Sequence, residues 1–338
     1  MEIAIIRSEV SYTKGGAERY AANICRELCE MGHSVWVLAE ILGSDVHPAI
    51  NHVPIKVRHI SSSQRHLSFH RNAQAALAEI RPDQTIALSR TYPSDAFRVS
   101  DPLHCFWLGI RYPGKIRRRI ESCNPRHKTI LRMERAILDP ANTRTVVTNS
   151  KLSKKLIAEF YPDYPQDRIR VIYNGVDHTQ FTADTALRNR QRLRLLFVGQ
   201  DFKRKGLGVV ISGLAGALKN GCECDLRVIG RDKAGPYREQ AHRLGVSERV
   251  EFSDPTKDIE NAYREADLFV FPSMYDPFAN VVLESLACGT PVVTTTTNGS
   301  SEIIEEEKNG YVIPGKSEHI AADITARIEH FCSLDDAT

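Results

Sequence analysis

FPSMYDPFANVVLESLACGTPVV fills positions Phe271 to Val293. The apolar run Leu268–Phe271 leads into it and Val292–Thr295 leads out. Between them, Pro272–Phe278 reads as a loop and Asn280–Cys288 as a helix closed by Gly289. A short buried strand, a loop, a helix and a second buried strand make one parallel βαβ unit. Two carboxylates sit in it, Asp276 in the loop and Glu284 roughly one turn into a helix that is apolar almost all round. A carboxylate in such surroundings needs hydrogen-bond donors. Sugar or ribose hydroxyls supply them, and so does a neighbouring arginine or backbone amide.

Working outward, the unit repeats. Leu195–Val198, Leu226–Ile229 and Val250–Phe252 are further short strands with helical stretches between them. The first half follows the same plan. Ile3–Ile6, Val35–Leu38, Ile86–Leu88, Phe97–Val99 and Thr145–Thr148 read as strands. Helices are predicted over Glu18–Met31, with Gly32 at its end, over His66–Arg81, stopped by Pro82, and over Lys151–Tyr161, capped by Ser150. Asn174–Arg192 is polar and turn-rich and separates the halves. The expected fold class is α/β: two doubly wound Rossmann-like domains, residues 1–178 and 179–338, facing across a cleft. Ligands in such sheets bind outside the carboxyl ends of the strands.

The bulk numbers agree. A chain of 338 residues is long for one hydrophobic core. A net charge of +3 gives no general reason to expect nucleic acid. The charge is uneven, however: between Arg111 and Arg135 the cations Arg111, Lys115, Arg117, Arg118, Arg119, Arg126, Lys128, Arg132 and Arg135 face only Glu121 and Glu134. That stretch suits an anionic membrane surface, a phosphorylated glycan or plain solvent. Aromatic residues are not regularly interleaved with the cations, which disfavours nucleic acid. The eight cysteines lack the spacing of a zinc site and read as reduced thiols of a reducing compartment. MEIAIIRSEV is too short an apolar run for a secretory leader, and no stretch approaches a membrane span. The expected location is cytoplasmic, with peripheral contact on the inner face of the cytoplasmic membrane through Arg111–Arg135.

Three other places suit chemistry. Gly15 and Gly16 lie after the first strand and before a helix, where backbone amides can approach an anion or simply make a tight turn. The dinucleotide fingerprint GxGxxG is absent there, which disfavours a dehydrogenase. Lys203-Arg204-Lys205-Gly206 follows the first strand of the second half, just before a helix. Cations there disfavour the helix dipole unless an anion lies between them, and a diphosphate would fit; a solvated basic loop is the alternative. In SDPLHCFW, Ser100–Trp107, Asp101 and His104 sit after the strand Phe97–Val99.

With these residues in hand, the chain resembles the retaining GT-B glycosyltransferases of glycosyltransferase family 4, closest to the lipopolysaccharide core glucosyltransferase I type. YDPFANVVLESLACGTPVV resembles the family's Glu-x7-Glu donor motif, with Asp276 and Glu284 as its two acids. QDFKRKG resembles its phosphate clamp, TKGGAE its N-terminal glycine loop, and VVTNSKLSKKLI, RIRVIYNGVDHTQF and NGSSEII its remaining landmarks. SDPLHCFW and PRHKTILRMERAIL fit the lipopolysaccharide type.

The resemblance implies a nucleotide-diphosphate-sugar donor, a UDP-sugar first, held by the second domain, and a glycan or glycolipid acceptor against the first. Arg204 and Lys205 would neutralise the diphosphate, Glu284 would hold ribose hydroxyls and Asp276 sugar hydroxyls. Amides of Phe278, Ala279, Asn280 and Val281, and of Gly15 and Gly16, would touch the sugar or phosphate. Asp101 and His104 would lie near the anomeric carbon or the acceptor hydroxyl, and with Asp276 they form the catalytic set. No cofactor is implied, and no Asp-x-Asp element calls for a metal. Asp276 is one methylene shorter than the usual glutamate. Relatives continue with a C-terminal helix that crosses back to the first domain; after Ala321–Phe331 only CSLDDAT follows, so that helix reads as missing or truncated. A sugar-nucleotide epimerase and a non-catalytic nucleotide-sugar-binding module are the rival readings.

Overall fold

The first strand of the chain, β1 (Glu2–Ile6), lies between parallel neighbours in a sheet of seven. The structure, a computed structural model, describes residues 1–13, 15–58, 60–99, 101–183, 192–315 and 317–335. The chain divides into two units, Met1–Tyr173 and Asn174–Thr338. The division falls before the expected 178/179 because NGVDHTQF packs into the second unit. Phe181 is buried in that unit's core with Val176 against it, and Asn174 donates to Asn280 across 2.5 Å.

In the first unit β1 is followed by the short β2 (Glu9–Val10), helix α1 (Gly16–Glu30), β3 (Ser34–Ala39), the short β4 (Ile41–Leu42) and β5 (Asn51–Pro54). Next come α2 (Ser62–Ile80), β6 (Gln84–Ala87), β7 (Ser94–Val99), α3 (His104–Arg111), α4 (Lys115–Ser122) and α5 (Pro125–Ile137). The strand β8 (Thr143–Thr148), α6 (Lys151–Phe160) and β9 (Ile169–Val171) complete the unit. The sheet order is β5-β3-β1-β6-β7-β8-β9, with every pairing parallel. β2 and β4 pair with each other.

Local chemistry sets the helix ends. The Ser61 hydroxyl accepts from the Gln64 amide, and the Gln64 side chain accepts from the Ser61 amide, a reciprocal cap at the start of α2. That cap begins the helix four residues before the apolar period shows it. Ser150 accepts from the Ser153 amide at 3.0 Å and starts α6 as expected. At the end of α1, Gly32 takes φ +82°, which a side chain resists.

The second unit runs β10 (Leu193–Val198), α7 (Phe202–Lys205), α8 (Leu207–Lys219), β11 (Cys224–Ile229), α9 (Gly235–Arg243), β12 (Val250–Ser253) and α10 (Ile259–Glu265). It continues with β13 (Leu268–Phe271), α11 (Asn280–Ala287), β14 (Val292–Thr295), β15 (Gly310–Ile313) and α12 (Ile320–Asp335). Its order is β12-β11-β10-β13-β14-β15, again all parallel. The core packs strand residues such as Phe197, Val228, Phe269 and Val293 against Ile211 and Leu214 of α8. Helix α12 lies so close on α8 that a Cβ at Gly213 would stand 2.5 Å from Ile324.

With strands counted along the chain within each of these two sheets, both run third-second-first-fourth-fifth-sixth, and β9 adds a seventh at the edge of the first. Strand order reverses between β1 and β6 in one unit, and between β10 and β13 in the other. Crevices at the carboxyl ends of those two pairs are where such folds bind ligands.

Candidate active site

In the second unit the segments leaving β10 and β13 meet at the reversal point. Leaving β10, Asp201 adopts a left-handed conformation, φ +55°, and its carboxylate accepts from the Arg204 amide and from Arg204 Nε at 3.0 Å. These bonds wind Phe202–Lys205 into a single helical turn. QDFKRKG is therefore a capped turn of helix and not a loop. Asp232 fastens its other side by accepting from the Phe202 amide at 2.8 Å. Gly206, φ +86°, ends the turn and starts α8. A Cβ there would stand 2.3 Å from the Pro272 carbonyl oxygen, so glycine lets the two segments touch. The Met274 amide then donates to the Arg204 carbonyl at 2.8 Å.

That contact brings Arg204, Lys205 and Asp276 together. Lys205 Nζ pairs with Asp276 Oδ2, and Arg204 Nη1 lies 3.5 Å from the same oxygen. Lys205 also sits 4.9 Å above the Phe271 ring. Asp276 is 7% exposed. Burial works to raise its carboxyl, but Lys205 and Arg204 outweigh burial and hold it below the usual carboxylate range. Burial lowers the Lys205 ammonium, with Asp276 opposing. Lys203, the third cation of the run, is exposed. Asp276, expected to accept from sugar hydroxyls, here holds both cations.

The loop carrying Asp276 is fixed by its backbone. Its amide donates to the Thr297 carbonyl at 3.1 Å, and its carbonyl accepts from the Gly299 amide at 2.9 Å. Thr295 and Thr297 hydroxyls donate to the Ser273 carbonyl at 2.8 and 2.9 Å. At the start of α11 the expected anion-facing amides divide. The Phe278 amide donates to Asp276 Oδ1 at 3.2 Å, and the Ala279 amide to Asn298 Oδ1 at 3.4 Å. These two amides therefore have side-chain acceptors within the unit. The amides of Asn280 and Val281, in the first turn of α11, have no side-chain acceptor among the described residues.

Glu284 is half-buried on α11, and Tyr263 from α10 donates its hydroxyl to Glu284 Oε2 at 3.0 Å. The sequence suggested a carboxylate whose donors come from a ribose, but a tyrosine supplies one of them. Asn298 and Tyr263 are the site residues that sequence reading missed. The TTTTNGSS run at 294–301, rich in short hydroxyl side chains next to an asparagine, was the available signal for Asn298. Nothing near Glu284 in sequence pointed to Tyr263.

The first unit has its own cluster. Arg7, leaving β1, donates Nη1 to the Leu88 carbonyl at 2.9 Å and pairs through Nη2 with Glu18 at 2.7 Å. Asp45 accepts from the Tyr12 and Thr13 amides at 2.9 and 3.0 Å. Gly15 is the N-cap of α1 and Gly16 its first residue; both are exposed and no side chain caps them. Asp101 pairs with Arg90 at 3.3 Å and is largely exposed. His104 opens α3 and is buried. Its Nε2 lies 2.9 Å from His127 Nδ1, and its amide donates to the Glu134 carboxylate. That carboxylate also accepts from the Cys105 amide at 3.1 Å and the Tyr161 hydroxyl at 2.7 Å. One buried acid of α5 therefore caps α3. Burial first, then Arg90, His127 and Arg126, push His104 down to about 4.

The basic stretch folds into α3, α4 and α5. Helix α4 buries no residue, and Ile116 and Ile120 are 80% and 67% exposed beside Arg117, Arg118 and Arg119. Among the described residues no helix is long and apolar enough to cross a membrane.

Residues 14–180 match the family model described as Glycosyltransferase Family 4, and residues 180–330 match Glycosyl transferases group 1. Over 191 residues the chain is 31% identical to glycosyltransferase MJ1607 of Methanocaldococcus jannaschii, covering 52% of this chain but only 48% of that relative's length. It is 24% identical over 316 residues to the lipopolysaccharide glucosyltransferase WaaG of Escherichia coli K12, covering 88% of this chain and 82% of WaaG. The crystal structure of WaaG matches the fold with a TM-score of 0.82 at 20% identity, over 98% of this chain and 90% of that one. Anabaena Alr3699/HepE, solved with UDP-glucose, matches with a TM-score of 0.68 at 18% identity, over 100% and 94%. The two family matches meet at residue 180 and together span residues 14–330, and the chain belongs to the family 4 glycosyltransferases of GT-B fold.

Proposed function

We propose that the chain transfers a hexosyl group from a UDP-sugar to the saccharide core of lipopolysaccharide, with retention of anomeric configuration and without a metal. The observation that carries this reading is the Arg204–Lys205–Asp276 cluster at the strand-order reversal of the second unit, beside the first turn of α11. Fixed cations and helix-end amides stabilise the charge that grows on a leaving diphosphate. The names of two relatives support the substrates: WaaG is a lipopolysaccharide glucosyltransferase, and HepE was solved with UDP-glucose.

In this mechanism Arg204 and Lys205 bind the diphosphate, and the Asn280 and Val281 amides add two donors. Glu284 accepts from ribose hydroxyls beside its Tyr263 bond, and Asp276 accepts from sugar hydroxyls. The bond between the anomeric carbon and the β-phosphate oxygen breaks, and the acceptor hydroxyl attacks from the same face. Its proton passes to the departing phosphate oxygen, so no protein nucleophile is required. Asp101, held as a carboxylate partner of Arg90, is the side chain assigned to assist proton removal, and His104 lines the same end of the first sheet.

Helix α4 supports peripheral attachment to the inner face of the cytoplasmic membrane. Two exposed isoleucines on a helix rich in arginine suit an anionic lipid surface.

The test is a thermal-shift screen over UDP-, GDP- and ADP-sugars, then nucleoside diphosphate release with and without lipopolysaccharide core, each repeated in EDTA. Stabilisation by a UDP-sugar and acceptor-dependent release unaffected by EDTA are expected. No stabilisation by any sugar nucleotide sinks the reading. Binding without acceptor-dependent turnover would point to a binding module, and conversion of the sugar without an acceptor to an epimerase.

A further inference from the structure

One oxygen of Asp276 serves two cations. Lys205 Nζ and Arg204 Nη1 both reach Oδ2, while Oδ1 accepts from the Phe278 amide. Arg204 has other partners in Asp201 and the Tyr275 carbonyl at 3.2 Å. Lys205 pairs with no other carboxylate among the described residues. The Lys205 and Asp276 side chains are 13% and 10% exposed, so neither can be handed to bulk water. These are the same cations that the proposed function assigns to the diphosphate of the donor. A diphosphate and the Asp276 carboxylate are therefore alternative partners for them.

We propose that Asp276 discriminates the intact sugar nucleotide from the spent nucleoside diphosphate. When either nucleotide takes Lys205 and Arg204, the buried carboxylate loses its cations and must find other donors. An intact donor brings sugar hydroxyls, and a hydroxyl bonded to a carboxylate is a strong, charge-assisted contact. The spent diphosphate brings none, so Asp276 competes to recover Lys205, and product leaves. The exchange needs only side-chain movement, because the Asp276 backbone is tied on both sides by Thr297 and Gly299. The short reach of aspartate from that fixed backbone keeps the carboxylate within range of Lys205.

This proposal rests on the reading of the site as a sugar-nucleotide site, and the experiment separates the two. Calorimetric titrations of wild type and Asp276→Asn use UDP, GDP and ADP and the corresponding glucose nucleotides. The asparagine keeps an oxygen for the Phe278 amide and removes the competing charge. Asp276→Asn is expected to bind the matching nucleoside diphosphate about tenfold or more tighter than wild type, with its sugar nucleotide unchanged or weaker. The preference for donor over product then collapses. An unchanged or weakened diphosphate affinity in a folded variant overturns the proposal while leaving the site assignment standing. Wild type that binds none of the nucleotides overturns both. Should the asparagine variant fail to fold, Asp276→Ser, whose hydroxyl can also cap the loop, carries the same expectation.

Discussion

The Tyr263 hydroxyl donates to the Glu284 carboxylate across 3.0 Å, joining α10 to the second acid of the Asp276–Glu284 pair. Tyr263 is fully buried, with its ring edge-on to Phe181 and Phe269. Tyr263→Phe keeps those ring contacts and removes only the hydrogen bond. A bond to a charged group of this kind is worth about 1.5–3 kcal/mol, and chemical denaturation should show a loss of that size. Glu284→Ala strands the Tyr263 hydroxyl and removes the proposed ribose acceptor together. It should weaken sugar-nucleotide binding by about tenfold or more. Wild-type affinity in Glu284→Ala would remove this residue from the donor site.

Gly206→Ala tests the contact between α7 and the loop that follows β13. The alanine must take φ +86° and place its Cβ 2.3 Å from the Pro272 oxygen. Strain in such a conformation costs about 1–3 kcal/mol before any clash is counted. The expected result is a lower Tm together with weaker nucleotide binding, because Arg204 and Lys205 move with the turn. A Tm equal to wild type would show that the two segments need not touch.

His104 predicts a pH dependence of stability. Its folded value, pushed down to about 4, lies below the ordinary histidine value of about 6.5. Between those values the unfolded chain binds a proton that the folded chain refuses, so stability falls as pH drops through that window. The window is worth at most about 3 kcal/mol. Below it this group adds no further loss. His104→Gln should flatten the slope between pH 6.5 and 4, as read from urea midpoints. An undiminished slope in that variant assigns the effect elsewhere, with His66 and His70, also lowered by burial, the next to test.

Helix α4 should govern attachment to anionic vesicles. Ile116→Ser with Ile120→Ser, and separately Arg117→Gln with Arg118→Gln, should each lower co-sedimentation with phosphatidylglycerol vesicles. Each cation is worth about 1 kcal/mol near such a surface, and added salt should erase the arginine contribution but not the isoleucine one. Release of nucleoside diphosphate with a soluble acceptor should be unchanged in both variants. Equal sedimentation of wild type and variants would reassign α4 to a solvated face.

The repeated βαβ plan was legible because buried parallel strands are short apolar runs and their crossover helices end at glycines and prolines. Gly32, Pro82 and Gly289 marked such ends in the sequence. The single turn Phe202–Lys205 was not legible, since four residues carry no helical period and the turn depends on a left-handed Asp201. The two acids and two cations were recognisable by type and place. Their pairing was not, because Lys205 and Asp276 lie 71 positions apart and meet only through the close approach that Gly206 permits. Glu134 shows the same limit: it stood among cations in the sequence, yet its carboxylate turns inward to cap α3. His104 likewise found a partner that sequence order hides, His127, 23 positions away.

The two backbone ties that hold Asp276, to Thr297 and Gly299, involve no atom of its side chain. Those ties survive any substitution at this position other than proline. The side chain adds a third tie, from the Phe278 amide to Oδ1, so a replacement keeps the whole mount only if it still offers an acceptor at that short reach. Asparagine and serine meet that condition and alanine does not, so loop geometry and side-chain charge at this one position can be varied independently.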